Sequence, residues 1–231
     1  LKRFSVIVAV AMIAGCSAKE PAAPAAGKDE SGISGNYLMG TGSATSNYYA
    51  FGSVLTQVIN THTGANITVN STGGSVENVR LLSSGDVEFA LIQTDVNDYA
   101  LNGTERFAGK AQGGFMAVTA CYPEMVQIVA SKASGIKSVA DMKGKKICVG
   151  AAGSGYEVAA RQILKAFGLG YDDIDERFLS QSEAKNALQD GAVDAFFMCS
   201  GYPNSNVTEL SLTGKIDVVS IEEPYLGSIL K

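Results

Sequence analysis

Histidine and tryptophan are almost missing from this chain: 231 residues contain one His, no Trp and only four Cys. The one histidine, His62, stands at a polar helix end beside Gly64. A His-based acid–base pair or a Cys/His zinc site therefore lacks its parts. No Cys-x-x-Cys spacing occurs. Neither does Gly-x-Ser-x-Gly, so a hydrolase triad has nothing to start from. The missing Gly-Lys-Ser/Thr removes the phosphate-binding P-loop. Ser134-x-x-Lys137 and Ser182-x-x-Lys185 have Ser-x-x-Lys spacing but lack the companion motifs of the enzymes that use it. Charge is scarce too, at 18% of residues, with a net charge of −5 and a pI near 5.0. A nucleic-acid partner would want a basic face. The expectation is no enzyme, no metal, no cofactor and no nucleic acid.

What is present is apolar and glycine-rich: 46% hydrophobic residues and 26 Gly. That is enough for a proper core and two small lobes, with tight turns between apolar strands. Lys2-Arg3 is a short cationic start, followed by the apolar run from Phe4 to Ala14. The run is too short to span a bilayer but fits the apolar part of an export signal. Its end, Ile13-Ala-Gly-Cys16, resembles the lipobox of bacterial lipoproteins. Residues 1–16 are therefore expected to be a lipoprotein signal, with Cys16 acylated and anchoring the chain at the extracytoplasmic, periplasmic side of a bacterial membrane. A plain secretory signal is the other reading. Residues 17–35, rich in Ala, Pro, Gly, Lys and Glu without apolar periodicity, are expected to be a tether.

From Asn36 the pattern becomes structured. Asn36–Gly40 reads as a strand, and Tyr48, Phe51, Leu55, Val58 and Ile59 carry helical spacing. Asn66–Asn70 is a second strand, a helix begins near Ser75, and Val87–Ile92 is a buried strand. This βαβαβ order predicts a parallel sheet. Phe115–Cys121 and Met125–Ala130 read as two strands broken by Tyr122-Pro123-Glu124, where the chain is expected to cross between lobes. The pattern then restarts: strands at Lys146–Gly150, Arg177–Leu179, Val193–Met198 and Ile216–Val219, helices at Tyr156–Phe167, Ser182–Leu188 and Ser205–Leu212. Ser154-x-x-Glu157 and Ser180-x-x-Glu183 have capping-box spacing. One echo links the halves: Leu82-x-x-Gly85-x-Val87-Glu88 against Leu188-x-x-Gly191-x-Val193-Asp194. Lobe one is expected over residues 36–121 and lobe two over 122–225, with 226–231 opening a return segment. Cys121, Cys148 and Cys199, all in apolar runs, are expected to be buried thiols, at least one of them free.

Three loops, at 40–45, 72–75 and 152–155, each join a strand to a helix and are nearly free of side chains. Their backbone amides and hydroxyls suit a carboxylate or other small anion at helix N-termini. Such loops lie at the carboxyl ends of the strands, where ligands bind in open α/β sheets. The candidate contacts are Gly42, Ser43, Thr72, Gly73, Gly74, Ser75, Ser154 and Gly155. Asn78, Gln93 and Asp95 are candidates to read an amine or hydroxyl, Tyr48, Tyr49 and Tyr156 to exclude water, and Glu157 is a further candidate contact.

The wording of these loops resembles the TAXI solute receptors of TRAP transporters. The resemblance rests on Gly40-Thr-Gly-Ser with Asn47-Tyr-Tyr, Ser71-Thr-Gly-Gly-Ser-Val-Glu-Asn78, Gln93-Thr-Asp95, Gly150-Ala-Ala-Gly-Ser-Gly-Tyr-Glu157 and Asp194-Ala-Phe-Phe. It implies a two-lobed α/β fold, the periplasmic-binding-protein type II fold, each lobe a mostly parallel sheet flanked by helices. It also implies an anionic or zwitterionic solute, an amino acid such as glutamate or a dicarboxylate, passed to TRAP membrane subunits. A sensor that binds the same ligand but signals to a protein partner is the alternative. Family members continue well past the point where this chain stops, so the rest of lobe one is expected to be missing. The family usually has Pro where Ala152 stands and Thr where Tyr156 stands.

Overall fold

A strand buried only at its far end, at Met39 and Gly40, opens the first sheet in a computed structural model of the protein. It describes residues 33–221 together with Tyr225 and Gly227. The expected signal segment and Cys16 lie outside the described residues. Structure begins earlier than the tether boundary suggested, because β1 (Ser34–Gly40) already includes Ser34 and Gly35. It is followed by α1 (Asn47–His62), β2 (Gly64–Asn70), α2 (Ser75–Ser84), β3 (Phe89–Ala90) and α3 (Thr94–Asn102). The sheet order is β2-β1-β3, all parallel, with Ser34 opposite Gly64 and Gly40 opposite Asn70.

The second sheet comprises β4 (Met125–Ser131), β5 (Lys146–Cys148), β6 (Asp175–Arg177), β7 (Ala195–Ser200) and β8 (Ile216–Val218). Between them lie α4 (Gly155–Ala166), α5 (Gln181–Gln189) and α6 (Ser205–Leu212). Its order is β6-β5-β7-β4-β8: β5 is parallel to β6 and β7, whereas β4 is antiparallel to β7 and β8. All six residues of β7 are buried. Phe197 packs into the cluster on one face, and Phe196 and Met198 into the cluster on the other. A strand covered on both faces reads as a continuous apolar run.

The echo between the halves has a physical basis. Gly85 (φ 77°) and Gly191 (φ 72°) both end a helix in the left-handed region that glycine tolerates. Val87 and Val193 are both buried. Each following acid then accepts a backbone N–H of a neighbouring strand: Leu38 donates to Glu88 at 2.8 Å and Lys146 to Asp194 at 2.9 Å. The same turn thus docks a helix and pins the next strand in both halves.

Several expectations need correction. Phe115–Cys121 is not a strand: no described strand lies beside it to supply a ladder, and Met116 and Val118 are 89% and 86% exposed. Cys121 is accordingly exposed, whereas Cys148 and Cys199 are buried; all three are free thiols. The strand expected over Val87–Ile92 shortens to β3, and that over Arg177–Leu179 falls two residues earlier as β6. One helix, α3, was not expected: its Val96 and Ala100 are buried one turn apart, with Gly103 (φ 63°) as its stop. Val58, expected on the inner face of α1, is exposed.

The two halves share a core. Val76 and Val79 of α2, Val96 and Ala100 of α3, and Phe107 pack with Val158 of α4 in one cluster. Burying a valine completely is worth about 1.5–3 kcal/mol, so Val158 alone contributes measurably to holding the halves together. Among the described residues no helix is long and apolar enough to cross a membrane.

Candidate functional site

Four helix N-termini face one cavity. β1 leads through Gly42 and Ser43 into α1, β2 through Thr72 to Gly74 into α2, β5 through Ala151 into α4, and β6 into α5. The cavity has a volume of about 60 Å³. A water needs roughly 10–15 Å³ on that measure, so the space holds a small solute rather than a bulky one.

The loops are held by their own hydrogen bonds. Thr72 N–H donates to Gly42 O at 3.1 Å, and Val76 N–H to Gly153 O at 3.0 Å, joining the first sheet's loops to the second's. Glycine is required where these loops abut: a Cβ on Gly73 would lie 2.8 Å from Ala152 O, and Gly74 (φ 113°) sits 3.3 Å from Ser154 Cα by the same measure. Ser46 and Ser154 cap α1 and α4, their hydroxyls accepting from Tyr49 N–H and Glu157 N–H at 3.2 Å each. Gly74 caps α2 without a side chain.

Of the residues expected to bind, Gly42, Ser43, Tyr48, Thr72, Gly73, Gly74, Ser75, Gln93, Ser154, Gly155 and Tyr156 line the cavity. Asn78, Glu157, Tyr49 and Asp95 do not. Asn78 is buried and spends its amide on the framework: Oδ1 accepts from Thr72 Oγ1 at 2.7 Å, and Nδ2 donates to Thr41 O and Leu91 O at 2.7 and 2.8 Å. It positions the loops without touching the cavity. Glu157, with no solvent exposure, turns away to Arg161 and Tyr171 and lies 3.3 Å from Arg106. The Ser154 capping box is therefore only half formed, while that of Ser180 and Glu183 is complete. Tyr49 is half-buried on α1, and Asp95 stands in the first turn of α3.

Sequence reasoning missed Ser46, Asn47, Glu124, Ala151, Gln181 and Cys199 as lining residues. Gln181 had a signal, since it follows the capping serine Ser180. Cys199 had none, being hidden in an apolar strand; Gln93 Nε2 reaches its Sγ across the cleft at 3.0 Å. Glu124 was visible only as part of a break between apolar runs.

Burial sets the electrostatics. The Glu124 carboxyl is pushed up to about 7, chiefly by burial; the hydrogen bond from Tyr48 (2.9 Å) opposes this and the Asp95 charge adds to it. The Cys199 thiol and the Tyr48 hydroxyl are raised by burial and by the Glu124 charge, and Tyr156 is pushed up to about 12 by burial. The lining contains no Lys, Arg or His. Among the described residues no cluster of His, Cys, Asp and Glu has the makings of a metal site.

The sequence profile of the NMT1-like family matches residues 39–231. The chain belongs to that family. Over 80 residues it is 34% identical to a protein of Escherichia coli (strain K12) named for aliphatic sulfonate binding, covering 35% of this chain and 25% of that protein. In three dimensions it is similar to the alkanesulfonate-binding protein SsuA from Xanthomonas axonopodis pv. citri bound to MOPS. That match has a TM-score of 0.52 and 21% identity and covers 82% of this chain and 61% of the other. It is also similar to an ABC uptake transporter substrate-binding protein from Streptococcus pneumoniae with bound histidine, with a TM-score of 0.54 and 16% identity over 81% of this chain and 76% of that one. At these identities the likeness is one of fold: the NMT1-like chain has the α/β, type II fold of periplasmic binding proteins. It spans a quarter of the E. coli relative and under two thirds of the Xanthomonas protein.

Proposed function

We propose that this NMT1-like protein is an extracytoplasmic solute-binding receptor, anchored through Cys16, that delivers a small carboxylate-bearing solute to a TRAP-type membrane transporter. The solute is an amino acid such as glutamate, or a dicarboxylate. The observation that carries this reading is the convergence of the N-termini of α1, α2, α4 and α5 on one cavity between two sheets. Each N-terminus carries roughly half a positive charge, so an anion is held there without a basic side chain. The solute touches loops of residues 36–121 on one side and of 122–225 on the other. Closure follows because only the closed form satisfies both sets of contacts. The names of the relatives, which concern sulfonates and an amino acid, support a small charged solute. The loop wording shared with TAXI receptors supports the carboxylate and the TRAP partner.

A thermal-shift screen of the full-length protein against amino acids and dicarboxylates tests the reading. Ser154 is 1% exposed at the cap of α4; Ser154→Leu fills the cleft and removes a cap worth about 1 kcal/mol. The screen is expected to give a hit that this variant loses while still melting cooperatively. A hit that survives in Ser154→Leu would place the solute elsewhere.

A further inference from the structure

Glu124 is the one carboxylate among the residues lining the cavity, and no Lys, Arg or His among them neutralises it. None of the ion pairs among the described residues includes it. It accepts a hydrogen bond from the Tyr48 hydroxyl at 2.9 Å. The titratable groups facing it are Tyr48 from α1, Asp95 from α3, Tyr122 beside it in the chain, and Cys199 from β7. None of these is a cation. The cavity thus has two unlike poles of charge: helix N-termini with glycine and serine, and a carboxylate without a counter-charge, tied to Tyr48 in the first turn of α1.

A plain anion fits only half of this arrangement. It satisfies the helix N-termini but is repelled by Glu124, or forces that group to take a proton. A solute carrying an ammonium group beside its carboxylate satisfies both poles with one molecule. Partial burial without a counter-charge is costly for a carboxylate, and an incoming ammonium relieves that cost. We propose that Glu124 is the ammonium subsite of this cleft, which makes its solutes amino acids rather than dicarboxylates or other plain anions. The inference rests on the reading of the cleft as a solute site and narrows its ligand class.

The ammonium binds the ionised carboxylate, so a proton on Glu124 competes with the solute. With the carboxyl near 7, affinity is level above that pH and falls about tenfold for each unit below it, about a hundredfold between pH 8 and pH 5. The α-ammonium and α-carboxylate groups of amino acids keep their charges across this range.

Calorimetry of the full-length protein with the twenty common L-amino acids, each paired with the carboxylic acid lacking its α-amino group, tests this. At least one amino acid is expected to bind at least about 30-fold more tightly than its des-amino partner, the loss typical of removing one member of a buried charge pair. Glu124→Gln keeps the shape and a hydrogen bond for Tyr48. It is expected to weaken the amino acid by a similar factor, to leave the des-amino acid unchanged or tighter, and to flatten the pH profile. The wild-type pH profile needs no variant and guards against misfolding of Glu124→Gln. Des-amino acids that bind wild type as tightly as amino acids, in a manner abolished by Ser154→Leu, would overturn the subsite and leave the solute site standing. Unchanged amino-acid affinity in Glu124→Gln would do the same. Binding by neither series would overturn both.

Discussion

Glu157→Ala is expected to lower the stability of the protein by about 3 kcal/mol in urea denaturation. Glu157 has no exposed surface. It accepts from Arg161 one turn along α4 and from the Tyr171 hydroxyl at 2.7 Å, and lies 3.3 Å from Arg106. The Arg106 contact is an ion pair without hydrogen-bond geometry, because Glu157 Oε2 has no hydrogen-bond partner. Removing one member of a buried pair typically costs 3–5 kcal/mol. The low end applies here because the side chains left behind, Arg106 and Arg161, are 34% and 35% exposed and reach water. Arg106 follows α3, so the change also loosens the halves joined by the Val76, Val96, Phe107 and Val158 cluster. A loss below about 1 kcal/mol would show that the ion pairs are dispensable and that apolar packing alone joins the halves.

Gly155→Val is expected to abolish solute binding, by at least about a hundredfold, while the protein still folds. Gly155 is the first residue of α4, with a backbone any residue adopts, so the change brings no backbone strain. The space is another matter: a Cβ there would lie 1.4 Å from Gln93 Oε1 and 3.1 Å from Ser75 Oγ. Gln93 must swing out, losing its contact with Cys199, and the branched side chain then occupies a cavity of only about 60 Å³. Overpacking of this kind costs about 1–3 kcal/mol, read as a lower melting temperature without solute. Wild-type affinity in Gly155→Val would mean that the cavity is not the site.

Most of the cavity was legible because its walls are made of backbone. Runs such as Gly40-Thr-Gly-Ser43 and Thr72-Gly-Gly-Ser75 announce a strand-to-helix turn that leaves amides facing one side, and this is a local property. Charged contacts are not local. Glu157 has the spacing of a capping box, yet Arg106, far away in sequence, draws its carboxylate to the other face of α4. Asn78 looks like a ligand contact because it follows a glycine loop; its amide instead ties Thr41, Thr72 and Leu91 together. Phe115–Cys121 has the composition of a strand, but a strand also needs a neighbour. Glu124 shows the converse, since a carboxylate in a turn becomes part of the site only when Tyr48 and Cys199 are folded against it.

The most direct measurement of the central claim is a crystal structure of the protein grown with the solute that gives the largest thermal shift. The account predicts density for one molecule touching Gly74 or Ser75 on one side and Ser154 or Gly155 on the other, its amine within hydrogen-bond distance of Glu124. Density that touches only one of the two halves, or lies outside this cleft, would contradict it.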